Sequence, residues 1–130
     1  YVLLGGAAMA VHGFPRMTRD IDCLFPVDAR NNARLLAALA ALGNKLRLDF
    51  VPAKQSLDRG FSTAAEGEIA LDILFVAASR RFEDYEPYIE EREIDGVRFK
   101  VLDVDGMLVS KETGREVDIP DRLRLRGLKD

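Results

Sequence analysis

Hydrophobic and polar positions alternate along this chain with two different periods, and the changes between them mark its elements. An apolar run, Val2-Leu3-Leu4, stops at Gly5-Gly6 and predicts a strand running into a tight glycine turn. Ala7 to Val11 follows with good helix formers and no breaker until Gly13-Phe14-Pro15. Asp20-Ile21-Asp22 then opens a second strand-like run that ends at Phe25. Asp28 predicts the N-cap of a helix over Ala29 to Leu42, with Gly43 as its stop and Leu35, Leu36, Leu39 and Leu42 along one side. Lys45 to Val51 alternates weakly, as a short strand or a link. Pro52 to Gly60 reads as loop, with another strand starting near Phe61.

The second informative run is Glu68 to Val76. Ile69, Leu71, Ile73 and Phe75 share one face of the predicted strand, and Ala70, Asp72 and Leu74 share the other. Ser79 to Glu91 reads as a charged surface helix or pair of turns around Pro87, with Phe82, Tyr85, Tyr88 and Ile89 facing inward. Asp95-Gly96 between Glu93 and Leu102 is a strong hairpin signal. Helical patterns return over Val104 to Glu112, break at Gly114, and resume over Ile119 to Leu128. No internal repeat, low-complexity linker or domain boundary interrupts the pattern.

Composition narrows the class. A length of 130 residues suits one domain, and 48% hydrophobic residues are enough for a real core. The net charge of −3 argues against a general nucleic-acid coat but leaves room for a local basic patch. The apolar runs are far shorter than a membrane span, and a single cysteine cannot form an internal disulfide, so the expected setting is cytoplasmic. The chain opens already in a strand without an initiator Met, and the expectation is that native N-terminal sequence precedes it.

Candidate chemistry gathers on the carboxylates. Asp20 and Asp22 are spaced i, i+2 on a strand and therefore share a face, a poor choice for a core because like charges repel and cost much to bury. A divalent cation removes that problem, and Mg²⁺ suits one or two carboxylates completed by phosphate oxygens. Asp72, alone in an apolar strand, reads as an edge or ion-paired residue in isolation and as a third metal-site acid beside the other two. One histidine and one cysteine give little support to a Zn²⁺ site or to Ser-His or Cys-His catalysis. His12 reads as a capping or packing residue, Cys23 as core. Arg115, Asp118 and Asp121 read as an ion-pair set bracing the last helix. Arg122, Arg124, Arg126 and Lys129 read as a solvated basic face.

Gly5-Gly6, the Asp20-Ile21-Asp22 pair and the later strand acid Asp72, in that order, resemble the polymerase-beta-type nucleotidyltransferase superfamily. The run His12-Gly13, Arg16, Thr18, Asp20, and a tail of Ile94-Asp95-Gly96, Lys111, Gly114-Arg115, Asp118 and Asp121, are similar to the minimal bacterial group that includes abortive-infection toxins. The likeness covers nearly the whole chain. Gly6 stands where many relatives have Ser, which leaves phosphate contact to backbone N–H groups. The resemblance implies a small mixed β-sheet with helices mainly on one face and C-terminal helices, an α/β fold. It implies two Mg²⁺ ions (or Mn²⁺) on Asp20, Asp22 and Asp72, with Asp72 near the acceptor hydroxyl. The triphosphate would be held at Gly5 and Gly6, with Arg16, Thr18, Arg19 and Lys111 as further nucleotide contacts.

The expected activity is transfer of a nucleoside monophosphate from an NTP, such as ATP, to a hydroxyl on tRNA or another RNA end, a protein side chain or a small molecule. Such a protein would serve in a toxin–antitoxin or phage-defence system, with a cognate antitoxin or small helical partner and no membrane. Two rivals stand beside it: a catalytically silent binding module of the same fold, and a metal-dependent phosphatase or glycosyltransferase using Asp20-x-Asp22.

Overall fold

A computed structural model describes residues 1–129. Six strands form one mixed sheet: β1 (Val2–Leu4), β2 (Asp20–Leu24), β3 (Thr63–Ala65), β4 (Ala70–Leu74), β5 (Ile89–Ile94) and β6 (Val97–Leu102), in the order β3-β4-β2-β1-β6-β5. β1 runs antiparallel to β2 and parallel to β6, β2 runs parallel to β4, and antiparallel partners β3 and β5 close the two edges. The helices are α1 (Gly5–Val11), α2 (Ala29–Leu46), α3 (Lys54–Asp58), α4 (Phe82–Tyr85), α5 (Val104–Ser110) and α6 (Ile119–Gly127). They lie mostly on one face of the sheet. There Val2, Leu4 and Leu24 pack with Met9 of α1, Tyr85 of α4, Met107 of α5 and Leu125 of α6. A smaller apolar cluster joins Leu39 and Leu57 of α2 and α3 to Cys23, Phe25, Ile73 and Phe75.

Period decides which residue goes where. Along β4 and just beyond it, Ile73 and Phe75 are buried as the alternation requires, while the strand itself spans only the middle of the run Glu68 to Val76. Asp28 caps α2 as expected, accepting from the Asn31 N–H at 2.9 Å. Gly43 does not end that helix. The stop comes three residues after it, at Leu46. Arg47 enters the left-handed region at φ 49°, and its N–H and that of Leu48 both close on the Gly43 carbonyl. Leu42, expected on the buried side, is 42% exposed. The stretch Pro52 to Gly60 is not all loop, because α3 occupies its middle and plugs Leu57 into the second cluster. In the weakly alternating segment Lys45 to Val51, only Phe50 makes a bridge, to Glu66, and the next strand begins at Thr63 rather than Phe61.

The second half of the chain follows the pattern more closely. The Asp95-Gly96 hairpin forms with φ 52° and 80° at its two central residues, the mirror-image turn that suits the strand twist. Ser79 to Glu91 resolves into α4 and one 3₁₀ turn at Glu86–Tyr88, and Ile89 already belongs to β5. The helix expected over Val104 to Glu112 ends at Ser110. His12 is buried and its Nε2–H donates to the Leu102 carbonyl at 2.7 Å, tying α1 to β6; its role is packing. Cys23 is buried in the core.

Asp103 accepts the Gly106 N–H at 2.7 Å and so caps the helix that leads to Lys111. Asp103→Ala is expected to lower stability by about 1 kcal/mol, read as a lower urea midpoint with an unchanged m-value.

Candidate active site

Strand register brings two of the three sequence-selected acids together. β2 and β4 are parallel, with Asp22 opposite Asp72 and Asp20 opposite Ala70. Both members of the first pair point to the face that carries Leu4, since Leu4 is the β1 partner of Asp22. The bond and charge of Asp72 favour the protonated form of the Asp22 carboxyl, and Asp20 lies two residues away on the same strand face, exposed. Among the described residues, no group of three or more His, Cys, Asp and Glu side chains is gathered closely enough to cage a metal ion. The close unit is therefore a pair, with Asp20 outside it.

Gly5 is the second part of the site. It opens α1 at φ +69°, and a Cβ built there would collide with Asp22 Oδ2. A side chain at this position would displace the carboxyl that faces Asp72, and the backbone angle independently favours glycine. α1 starts without a side-chain cap, since its N-cap residue, Leu4, has no hydrogen-bonding side chain. Gly6, expected to share the role, turns away from the cleft. A Cβ there would sit 3.3 Å from Arg16 Cδ and 3.7 Å from Thr18 Cγ2, so its smallness serves the packing of the loop that follows.

A cleft of about 330 Å³ separates the acid pair from the end of α5 and the residues after it. Gly5, Asp22 and Asp72 line one side, and Lys111, Thr113 and Arg115 line the other. Lys111 is held by two aspartates whose side chains are almost fully buried: its Nζ lies 3.4 Å from Asp118 Oδ1 and 3.1 Å from Asp121 Oδ2. Asp118 also accepts from Thr113 Oγ1 at 2.5 Å and from Arg115 Nε at 3.0 Å. Asp121 receives a forked pair from Arg16, at 2.5 and 3.2 Å, across 105 positions of sequence. The tail residues read as a brace for the last helix thus do brace it, and they also fix the cation that faces the acids.

The other loop candidates sit farther out. The Arg16 guanidinium is engaged with Asp121 rather than with the cleft. Thr18 makes a local turn, accepting from the Asp20 N–H at 3.1 Å, and Arg19 is exposed. Sequence reading missed Ser110, Thr113 and the segment Val76 to Ala78 as cleft-lining residues. Thr113 lies between two residues of the recognised tail, and that adjacency is the one signal that could have pointed to it.

No protein-family model and no curated protein matches the chain.

Electrostatics distinguish the two groups of acids. Burial, then the bond and charge of Asp72, then the charge of Asp20, push the Asp22 carboxyl up to about 7, with Lys111 pulling the other way. Burial also disfavours the charged forms of Asp118 and Asp121. There the bonds from Thr113, Arg115, Arg16 and Lys111 outweigh it and hold both carboxyls below the usual range.

The two groups have opposite linkage. From about 4 to about 7, folded Asp22 keeps a proton that the unfolded chain has released, so this residue's contribution to stability falls as pH rises through that window. Asp118 and Asp121 add stability above the ordinary carboxylate value and lose it as pH falls through their depressed values. In buffer containing a chelator, Asp22→Asn is expected to melt close to wild type near pH 4 and above it at pH 8. Parallel melting-temperature profiles for the two proteins would show that Asp22 carries no such charge cost.

Proposed function

We propose that this protein is a nucleotidyltransferase of the polymerase-beta type, which moves a nucleoside monophosphate from an NTP to a hydroxyl acceptor. The observation that supports this most directly is the Asp22–Asp72 pair, facing each other across adjacent strands with Gly5 against one member and Lys111 across the cleft. The ordered sequence pattern of Gly5-Gly6, Asp20-Ile21-Asp22 and Asp72 adds to it, and the order of strands and helices is compatible with that fold.

The donor set fits Mg²⁺ or Mn²⁺. It consists of hard carboxylate oxygens only, ionising both paired acids is costly without a cation, and fewer than three close side chains among the described residues leaves coordination positions for phosphate and water. Asp22 and Asp72, with Asp20 at the rim, would hold the metal, which when bound neutralises the acids against an incoming triphosphate and acidifies a hydroxyl.

The chain's own residues account for the rest. Gly5, without a side chain, lets a phosphate approach the uncapped start of α1. Lys111, clamped by Asp118 and Asp121, balances the negative charge of the leaving pyrophosphate. The acceptor oxygen attacks the α-phosphorus, the bond to the β-phosphate oxygen breaks, and the acceptor proton passes to Asp72. An RNA end such as that of tRNA, a protein side chain and a small molecule are the acceptor classes this chemistry admits, in keeping with a role in toxin–antitoxin or phage-defence systems.

The test is incubation with α-labelled NTPs, Mg²⁺, and total RNA or cell extract. Wild type is expected to transfer label, and Asp72→Asn to lose about 100-fold or more of that rate while keeping its fold by circular dichroism. Equal labelling by both proteins would overturn the assignment of the site. Failure of the wild type to bind any NTP would favour a silent module of the same fold. Release of inorganic phosphate or transfer of sugar would favour the phosphatase or glycosyltransferase alternative.

A further inference from the structure

Beside the acid pair the cleft has a wall of different chemistry. Leu74 ends β4, and Val76, Ala77 and Ala78 continue from it along the same cavity that Asp72 and Lys111 line. Ala77 and Arg80 exchange backbone hydrogen bonds at 2.9 and 3.0 Å. The two residues between them, Ala78 and Ser79, lie in the left-handed region at φ 48° and 62°. Asn-Gly is the usual occupant of such a turn, and side chains with a Cβ adopt it against their preference.

Three contacts hold the turn in place. Tyr85 Oη donates to the Ala77 carbonyl at 2.7 Å, Arg80 Nη1 donates to the Ala78 carbonyl at 3.3 Å, and Arg80 Nη2 pairs with Glu112 at 3.0 Å. They also occupy the carbonyls of Ala77 and Ala78. Of the two hydroxyls in the cleft, Ser110 Oγ donates to the Met107 carbonyl at 2.7 Å and Thr113 Oγ1 donates to Asp118. The side chains of Leu74, Val76, Ala77 and Ala78 carry no hydrogen-bonding group. This wall offers methyl groups, and the opposite one offers charge.

Resting on the nucleotidyl-transfer reading of this site, we propose that the wall formed by Leu74, Val76, Ala77 and Ala78 packs the nucleoside half of the NTP and accepts all four bases. Phosphates belong with the cation and the acids, whereas an uncharged planar ring gains from apolar surface. Strong choice between bases needs polar groups that are left unpaired by the wrong one, and this wall has none among its side chains. Contact of this kind recognises a ring and not its edge.

Calorimetric titration of the full chain in Mg²⁺, without acceptor, tests this with ATP, GTP, CTP, UTP and inorganic tripolyphosphate. The four NTPs are expected to bind within about threefold of one another, and each more tightly than tripolyphosphate. Val76 is half exposed, so Val76→Ser should fold; it is expected to weaken all four NTPs by about threefold to tenfold and leave tripolyphosphate unchanged. Val76→Thr, which keeps the shape and one methyl, should fall between the two. A preference of tenfold or more for one base would overturn the proposal. So would an equal effect of Val76→Ser on tripolyphosphate, or unchanged NTP binding with a loss of acceptor use, which would make the wall the acceptor's seat. A wild type that binds tripolyphosphate and NTPs equally removes the wall's role alone, whereas one that binds neither removes the nucleotide reading together with it.

Discussion

The register of β4 on β2 is the constraint on which the candidate site depends. Side chains alternate along a strand, so a slip of one residue would send Asp72 to the opposite face and bring Ile73 beside Asp22. The apolar cluster prevents that slip. Ile73 and Phe75 are buried with Leu39, Leu57 and Cys23, and exchanging faces would bring an acid into that cluster while exposing the aliphatic chains. Burial on one side of the sheet thus sets the position of two like charges on the other.

Those like charges are costly by themselves, and the surrounding residues respond in two ways. Asp22 takes up a proton far above the ordinary carboxylate range, which relieves the pair locally. On the far side of the cleft, Lys111 brings a positive charge that is itself restrained by two more aspartates. Asp118 and Asp121 are held charged by a dense set of donors, so acid groups of the same residue type are tuned in opposite directions a short distance apart. Burial acts on all three. Their partners decide the outcome.

Much of this was legible in the sequence, where a single periodicity or a strong turn signal governed the outcome. The alternation around Asp72, the i, i+2 spacing of Asp20 and Asp22, the Asp28 cap and the Asp95-Gly96 hairpin all follow from local geometry. The failures have identifiable causes. Gly43 was outvoted because a long helix absorbs one glycine, and its stop was set by closing bonds at Arg47 that no propensity reveals. α3 is short and its identity rests on one leucine reaching a distant cluster. The turn at Ala78-Ser79 lacks glycine and asparagine, so its conformation comes from Tyr85 and Arg80 and not from its own residues. The partner of Arg16, Asp121, lies near the other end of the chain, so no local pattern reveals their contact.

That last contact has a temporal meaning. Asp22 and Asp72 precede α5 and α6 in the chain, whereas the opposing cation and both of its anchors lie from Lys111 onward. A polypeptide still emerging from the ribosome would carry the acids without their counter-charge. A chain cut short before Asp118 would leave an acidic notch with neither anchor to hold Lys111 over it.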